Sequence, residues 1–440
     1  MTAEIKVSSA NDYQKIVVGN SMYKERQILP LASVTPTLTS NTQAVFELPS
    51  QTVYNLAQSL LVFTETIPQG ATGFAKNIQA IPLLGFNLQT EKGVLLGEVN
   101  DLQPYLKVVN PLATPADEAW RSKPMWSSEA GTDLFYPATS STALYALADG
   151  SSANPLPHPM APLQYFNTTV DTASVVNWQI PSSNFKHTAL ALDKDMFWGG
   201  EKLILTLTFA PQQSYAHESK SDTNMITNAQ ALQLANTISN LSIQLAEQHS
   251  QGIVEQVKSQ VRNAGISINF QFPSIAKMTT DNSGTFSYVH RLNIAKGSAV
   301  QRIYHALYRN SGSASPIKFN LYNGGGSLWS SVRTAINSQY DQDSLQNPRA
   351  FYRSHNELFE KSVAGEYNTW VYTNSAVCID YCGQKYAESD SQNIHGGLDL
   401  KEPQEILVDY TKAAEALNYM GIAVCSRTLN LSSAGVSVTV

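Results

Sequence analysis

Residues 203–209 read Leu-Ile-Leu-Thr-Leu-Thr-Phe, and Leu203, Leu205, Leu207 and Phe209 alternate there with smaller or more polar neighbours. Successive side chains of a β-strand point to opposite faces, so this period of two predicts a strand with one face in a core. The same alternation recurs in four further runs, at residues 43–48, 266–272, 317–322 and 436–440. The chain is therefore predicted to be mainly β.

Helical patterns are few and short, which argues against an α/β fold with a helix after every strand. One helix is predicted to begin at the N-cap Ser327, because Leu328, Val332, Ala335 and Ile336 would then share a face. Two more are expected at about 250–263 and 350–363. Residues 224–248 partly fit both periods, and a strand over 237–245 is favoured.

The length of 440 residues predicts two domains, because a single hydrophobic core seldom grows so large. A polar stretch at 211–236 separates the two β-rich halves. We predict an N-terminal arm over 1–34, a first β-sandwich over 35–223 and a second over 224–440. Hydrophobic residues make up 42% and charged residues 15%, so much of the surface is neutral and polar. Such a surface desolvates at little cost and suits extensive protein contact.

The charge balance argues against tight nucleic-acid binding. There are 29 basic and 35 acidic residues, and no basic cluster of the kind that neutralises many phosphates. No apolar run reaches the roughly 18 residues that span a bilayer, and the first residues lack an apolar signal core. The sequence thus predicts assembly in a soluble compartment. The odd set of Cys378, Cys382 and Cys425 predicts buried thiols without a disulfide framework or a zinc site.

The motifs of catalysis are weak. Ser-x-x-Lys occurs four times, at 21/24, 183/186, 274/277 and 315/318, but no Lys-Thr-Gly accompanies it. The histidines show no metal-binding spacing, and the three glycines at 324–326 lack the Lys and Ser or Thr of a phosphate loop. Asp193, Asp195 and Glu201 are interpreted as part of a turn before a strand at 201–210. We predict no catalytic, cofactor-binding or metal-binding residues and no cofactor.

The aromatic residues are expected to fill cores and interfaces rather than to stack on bases. Trp178, Trp198, Trp329 and Trp370 lie in or near the predicted regular elements. The run 304–309 is the nearest match to a base-stacking platform, but no second basic and aromatic cluster accompanies it. It is interpreted as a strand with Tyr and Arg at a sheet edge.

Three stretches carry a resemblance to a known family. They are residues 418–429 followed by Ala434-Gly435, residues 285–289 leading through 303–308 towards 324–326, and residues 178–181 followed by 202–207. These strand patterns resemble those of the double jelly-roll major capsid proteins of the tectivirus–adenovirus lineage. The resemblance implies an all-β chain of two tandem jelly-roll sandwiches with a few short inserted helices.

The same resemblance implies a function in the virion. Three chains would form a pseudo-hexameric homotrimer, and trimers would tile an icosahedral shell. The implied partners are other copies of the chain, penton or minor capsid proteins, and an internal membrane on which residues 16–18 would lie. Strong direct binding to nucleic acid is not expected.

Two other classes of protein stay open at this point. An extracellular carbohydrate-binding or adhesin-like β-sandwich would suit the glycan acceptor triplets that begin at Asn167, Asn240 and Asn430. The missing signal core counts against it. A β-rich glycoside hydrolase would need two carboxylates that face each other across a cleft.

Overall fold

The computed structural model describes residues 23–32, 42–67, 81–113, 174–209, 237–291, 299–309, 329–336, 339–340, 345–346, 376–380, 398–399, 405–412, 414 and 416–439. Within these residues the protein is built mainly from β-strands in four antiparallel sheets. Two sheets are formed by the strands up to residue 248 and two by the later strands, and we call these pairs the first and the second sandwich.

The strands of the first sandwich are β1 (Tyr23–Ile28), β2 (Thr42–Leu48), β3 (Tyr54–Ile67), β4 (Leu83–Thr90), β5 (Leu95–Val99), β6 (Ser174–Pro181), β7 (Asp195–Met196), β8 (Leu203–Phe209) and β9 (Thr237–Gln248). One sheet has the order β1-β9-β3-β6, with β7 beside β3, and the other has the order β2-β8-β4-β5.

The strands of the second sandwich are β10 (Ile266–Thr279), β11 (Thr285–Arg291), β12 (Ala299–Arg309), β13 (Trp329–Ile336), β14 (Gln339–Tyr340), β15 (Leu345–Gln346), β16 (Ala376–Asp380), β17 (Leu398–Asp399), β18 (Glu405–Lys412), β19 (Leu417–Ser432) and β20 (Gly435–Thr439). Here the two sheet orders are β10-β19-β12-β16 and β11-β18-β13-β14. The short strands β15 and β17 and the C-terminal β20 pair beside these paths.

The two sandwiches share one topology. Without the short β7, β15 and β17 and the C-terminal β20, each has eight strands, and in both the first strand pairs with the eighth and the eighth with the third. The second strand likewise lies beside the seventh, and the seventh beside the fourth. This is the eight-stranded, two-sheet arrangement of a jelly roll. The all-β fold class with two tandem jelly rolls is therefore confirmed.

Sheet pairing does not follow the predicted domain limits. β9 begins after residue 224, yet it pairs with β1 and β3 of the first sandwich. β1 lies in the predicted arm of residues 1–34, yet it completes the same sheet. The division into 1–34, 35–223 and 224–440 stays a prediction, and the pairing favours a division inside 249–265.

The core of the first sandwich matches the alternation that predicted it. Leu203, Leu205, Leu207 and Phe209 of β8 are buried, whereas the residues between them are half-buried. The ring of Phe63 on β3 stacks on Trp178 at a centroid distance of 5.8 Å and meets Phe209 edge-on at 6.0 Å. Aromatic rings from both sheets thus pack against one another in the core, as predicted for Trp178.

Two helices of three turns or more lie in the described residues. The predicted helix at 250–263 is present as α2 (Gln251–Asn263), and it buries Val261. α1 (Leu102–Ala113) was not predicted, since Pro104 and Pro111 break the pattern. Pro104 is accommodated because it lies in the first turn, where a backbone N–H has no intrahelical partner. The predicted helix at 350–363, the strand at 317–322 and the glycines at 324–326 lie outside the described residues.

One prediction for the second sandwich is wrong. The segment predicted as a helix from Ser327 is the strand β13 where it is described, and it pairs with β18. Its Val, Thr, Ile and Trp residues favour a strand. The apolar residues also fit a helical period, but the backbone hydrogen bonds to β18 stabilise the strand. The run 304–309 lies on β12, where residues 304–306 have β19 on one side and β16 on the other, whereas residues 307–309 pair with β19 alone among the described strands. The edge position predicted for Tyr and Arg in this run stays a prediction. The strand preferred at 237–245 is confirmed as part of β9.

Candidate functional site: the interface between the two sandwiches

The two sandwiches meet through different surfaces of each. On the first sandwich, β5 and the 3₁₀ turn Ala189–Ala191 contact β10, and α1 contacts β12. The ammonium of Lys277 on β10 forms an ion pair with the carboxylate of Asp101, which directly precedes α1. The fifth strand of one jelly roll therefore lies along the first strand of the next.

A chain of buried polar side chains crosses this interface. Nδ1 of His187, in the first sandwich, lies 2.7 Å from Oε1 of Gln271 on β10, and Nε2 lies 2.7 Å from the hydroxyl of Tyr304 on β12. Nε2 of Gln271 in turn donates to Oε1 of Gln301 at 2.7 Å. The side chain of His187 thus touches two strands of the second sandwich, and the residue is only 6% exposed.

The amide orientations of Gln271 and Gln301 in this structure define the tautomer of His187. The amide nitrogen of Gln271 is used by Gln301, so its oxygen faces the imidazole and accepts a hydrogen from Nδ1. Nε2 then carries no hydrogen and accepts from the Tyr304 hydroxyl. Burial, with a smaller effect of the Arg302 charge, lowers the pKa of His187 to about 3. The imidazole is therefore neutral at physiological pH and acts as a rigid two-ended hydrogen-bonding group.

The backbone has an unusual geometry on both sides of the interface, at His187 in the first sandwich and near Gln301 in the second. His187 has a φ of 58°, a left-handed conformation that costs a non-glycine residue about 1–3 kcal/mol. The hydroxyl of Tyr105 on α1 donates to the carbonyl of Lys186 at 2.6 Å and holds the preceding residue. On the other side, the register of β12 with β19 is irregular between Val300 and Arg302, at the position of the fully buried Gln301.

A second contact attaches the C-terminal hairpin to the first sandwich. The carboxylate of Glu201, which precedes β8, accepts a hydrogen bond from the backbone amide of Val436 on β20 at 2.9 Å. The same Oε1 accepts from Nζ of Lys92 at 2.8 Å. Burial raises the pKa of Glu201, but the bonds from Lys92 and Val436 outweigh that effect and hold the pKa below its usual range. The carboxylate is therefore ionised at neutral pH and only 3% of the residue is exposed.

The close approach at this contact requires glycine. A Cβ on Gly435 would lie 1.8 Å from Oε1 of Glu201, and the φ of Gly435 is 117°. Gly199 faces the same hairpin, since its Cβ would lie 2.7 Å from the carbonyl oxygen of Ser432, and its φ is 62°. A side chain at either position would push the hairpin away from the first sandwich.

We expect Glu201→Gln to loosen the hairpin while Glu47→Gln does not. Both glutamates pair with a lysine Nζ at 2.8 Å, but the Glu201 side chain is 4% exposed and the Glu47 side chain 37%. Buried charge-assisted bonds contribute about 1.5–3 kcal/mol, and exposed ion pairs about 0–1 kcal/mol. Hydrogen exchange of the peptide that covers residues 433–436 should therefore quicken in Glu201→Gln only. Equal exchange in both variants would show that the bond does not hold the hairpin.

The sequence motifs singled out for catalysis do not come together. Ser274 and Lys277 lie three positions apart on β10 and so project to opposite faces of the strand. Lys277 is paired with Asp101 and belongs to the interface. Ser183 and Lys186 lie in and just after a 3₁₀ turn, while Ser21, Ser315 and Lys318 are outside the described residues.

Other candidates occupy structural positions. His305 is buried in the second sandwich with Nδ1 2.9 Å from the Tyr419 hydroxyl, and burial raises the pKa of the Cys425 thiol to about 12. Trp198 is buried as predicted, whereas the side chains of Trp329 and Trp370 lie outside the description. In the part of the chain that is described, no group of three metal-ligating side chains gathers. No described helix is long and apolar enough to cross a membrane.

The carboxylates interpreted as a simple turn have specific partners. Asp195 accepts hydrogen bonds from the Tyr23 hydroxyl at 2.8 Å and from Nε2 of Gln248 at 2.6 Å. Asp193 accepts from Nδ2 of Asn55 at 2.8 Å. The bond from Tyr23 attaches β1 to this segment, and the bonds from Gln248 and Asn55 attach β9 and β3 to it. Glu201 fastens the hairpin instead, so the three acidic residues serve two separate contacts.

The fold defined by these sheets is that of double jelly-roll viral major capsid proteins. PBCV-1 VP54, as fitted into a cryo-EM reconstruction of the virophage Sputnik, is similar with a TM-score of 0.57 at 8% identity, over 96% of this chain and 98% of that one. The Faustovirus major capsid protein is similar with a TM-score of 0.52 at 11% identity, over 95% of this chain and 93% of that one.

The 3.5 Å cryo-EM structure of the Sputnik virophage contains a further similar chain, with a TM-score of 0.52 at 13% identity over 96% of this chain and 90% of that one. No protein-family model matches the chain, and no curated protein matches its sequence. At sequence identities this low, the structural similarity shows a shared fold and nothing finer. The resemblance inferred from the strand patterns is therefore confirmed as a resemblance of fold.

Proposed function

We propose that this chain is a major capsid protein that forms pseudo-hexameric homotrimers, which tile an icosahedral virion shell. The observation that carries the proposal is the pair of jelly rolls with identical strand order, joined by a buried interface. The full-length likeness to PBCV-1 VP54 and to the Faustovirus major capsid protein supports it.

The interface supplies the geometric reason. It joins β5 and α1 of the first sandwich to β10 and β12 of the second, so it uses different surfaces of two similar units and is heterologous. Heterologous contacts form a closed ring when the rotation between units divides the circle. Two linked sandwiches in each of three copies would then occupy six equivalent positions.

The buried contacts made by His187 and Glu201 between the two sandwiches suit a role in the shell. The neutral imidazole of His187 and the carboxylate of Glu201, through its Oε1, join the sandwiches by buried hydrogen bonds, which fix the orientation of one sandwich relative to the other within each copy. A tile whose two halves are held rigidly presents its outer surfaces in a constant arrangement. Lattice growth needs this, because each trimer would contact several neighbours at once.

The proposal extends to partners and location. The chain would be a virion component with copies of itself, penton or minor capsid proteins and an internal membrane as neighbours. It would have no enzymatic role. The chain has 29 basic and 35 acidic residues, so the contacts within the shell should not depend on nucleic acid. The genome would then be enclosed by another layer.

The proposal predicts a stable trimer. Light scattering on the full chain, treated with nuclease and held at micromolar concentration, should give three times the mass of one chain. Electron micrographs of the same sample should show particles with a six-sided outline. A monomer at that concentration, or a trimer that forms only when nucleic acid is present, would contradict the proposal.

A further inference from the structure

The polar contacts between the two sandwiches depend on groups that must not carry a proton. Nε2 of His187 accepts the hydrogen of the Tyr304 hydroxyl, which only the neutral imidazole can do. Oε1 of Glu201 accepts from Nζ of Lys92 and from the backbone amide of Val436, and ionisation of the carboxylate strengthens both bonds. One added proton at either residue therefore weakens the interface.

Two further polar contacts join the described parts of the sandwiches. The ion pair of Lys277 with Asp101 loses its negative charge in acid, although these side chains are 34% and 32% exposed and contribute less than a buried pair. The bond from Nζ of Lys92 to the carbonyl of Ala434 is 3.4 Å long, and its acceptor does not titrate. Acid therefore weakens the first of these contacts and leaves the second unchanged.

The surroundings of His187 disfavour the protonated ring while the sandwiches are in contact. Burial is the largest effect, and the charges of Arg302 on β12 and of the adjacent Lys186 are both positive. Only the bond to Gln271 on β10 favours the proton, and it does not offset burial. An imidazole in water has no such penalty and titrates near its ordinary pKa of about 6.5. Protonation is therefore linked to opening of the interface.

The contacts inside each sandwich are mainly backbone ladders and apolar packing, which do not titrate. Burial raises the pKa of Asp195 in the first sandwich, so its ionised form is disfavoured there and protonation in acid removes that cost. Asp281 has a lowered pKa, but it lies on an exposed turn after β10 and accepts from Ser283 within that turn. The described ion pairs inside the sandwiches lie at the surface, where such pairs contribute little. They are Arg26 with Glu247, Lys202 with Glu47 and Arg333 with Asp409.

We propose that acid separates the two sandwiches while each of them stays folded, so that the interface is a proton-sensitive switch. Above pH 6.5 His187 is neutral in both the closed and the open chain, and its contribution to closure is fully present. Between pH 6.5 and the pKa of about 3 in the closed chain, only the open chain binds the proton, so the closed-to-open ratio falls about tenfold per pH unit. The pKa of Glu201 is lowered, so its contribution is lost as the pH falls below the ordinary value of about 4.3. A shell built from this chain would loosen in an acidic compartment without unfolding its protein.

Energy transfer between two dyes on one chain measures the separation directly. Keto-bearing amino acids at the exposed positions 43 on β2 and 282 after β10 carry pH-insensitive dyes, so the native cysteines stay untouched. Each labelled chain is diluted into an excess of unlabelled chains, which confines the transfer to one copy. We expect one transfer efficiency at pH 7 and a second population that is the main species at pH 4. The far-ultraviolet circular dichroism spectrum should be the same at both pH values.

Replacing His187 identifies the group that responds. His187→Asn cannot titrate, and asparagine tolerates the left-handed φ of 58°. Between pH 6.5 and 4.5 the closed-to-open ratio should fall about 100-fold in the wild type and stay constant in this variant. The comparison concerns the pH dependence, so it holds even where the substitution changes the ratio at pH 7. The matched control is His249→Asn, at an exposed histidine before α2, which should respond as the wild type does.

Failure of the switch and failure of the proposed function give different results. A wild-type chain with a single transfer efficiency from pH 7 to pH 4 would overturn the switch. Loss of the circular dichroism signal at the pH where transfer changes would do the same, since the chain would then unfold as a whole. A His187→Asn variant with the wild-type pH response would also overturn it. A monomeric wild type that still opens in acid would contradict the proposed function alone, because the transfer is measured within one chain.

Discussion

Leu205→Asp should remove the soluble folded protein. Leu205 lies on β8, is 6% exposed and shares the inner face with Leu203 and Leu207. β8 lies between β2 and β4, so the sheet cannot turn the new carboxylate towards water without breaking two ladders. An unpaired charge in such a core costs several kcal/mol, a large share of the stability of an ordinary domain.

The neighbouring residue is the matched control. Thr206 belongs to the same strand but projects from the opposite, half-buried face. Thr206→Asp carries the same charge through the same backbone, and we expect it to yield soluble trimer. Soluble yield and gel-filtration volume compare the two variants directly. Equal yields would show that the inner face of β8 has been assigned to the wrong residues.

The alternation of apolar residues predicted the half-buried strands and failed where a strand is buried on both faces. It located β2, β8 and β20, because each has one face in a core. It placed Gln271 on a polar outer face of β10, whereas that face is covered by the first sandwich. A period of two reports only the contrast between faces, so it cannot detect polar residues that are buried against another domain.

No local sequence pattern identifies the residues that form the interface between the two sandwiches. His187 is a single histidine in an irregular segment, and its partners are 84 and 117 residues away in the chain. Nothing local distinguishes such a residue from an exposed one, because its burial depends on the packing of two complete sandwiches. The consecutive glycines before Glu201 were the nearest hint. Their positive φ values of 62° and 85° shape the approach of the C-terminal hairpin.

His187→Phe should weaken the joint between the sandwiches. Phenylalanine keeps a ring of similar size but loses the bonds to Gln271 and Tyr304. Leaving buried groups without these bonds costs about 1–3 kcal/mol each. We expect a fall of about 2–4 kcal/mol in the free energy of unfolding at pH 7, measured by urea at one fixed chain concentration because association contributes to stability.

A double-mutant cycle isolates the pair. Tyr304→Phe removes the hydroxyl that lies 2.7 Å from Nε2 of His187 and nothing else of the side chain. If the two groups interact directly, the double variant should be about 1 kcal/mol more stable than the sum of the two single losses predicts. Strict additivity would contradict the bond across the interface.

The effect should also depend on pH in a definite direction. The pKa of His187 is about 3 in the folded protein, well below the ordinary value of about 6.5 that the unfolded chain should show. Above pH 6.5 the imidazole is neutral in both states and its contribution is fully present. Between pH 6.5 and 3 only the unfolded chain binds the proton, so the free energy of unfolding falls by about 1.4 kcal/mol per pH unit. The stability difference between wild type and His187→Phe should therefore shrink by about 3 kcal/mol from pH 7 to pH 4, while contributions of other titrating groups cancel. A difference that stays constant over this range would show that His187 is not held neutral at the interface.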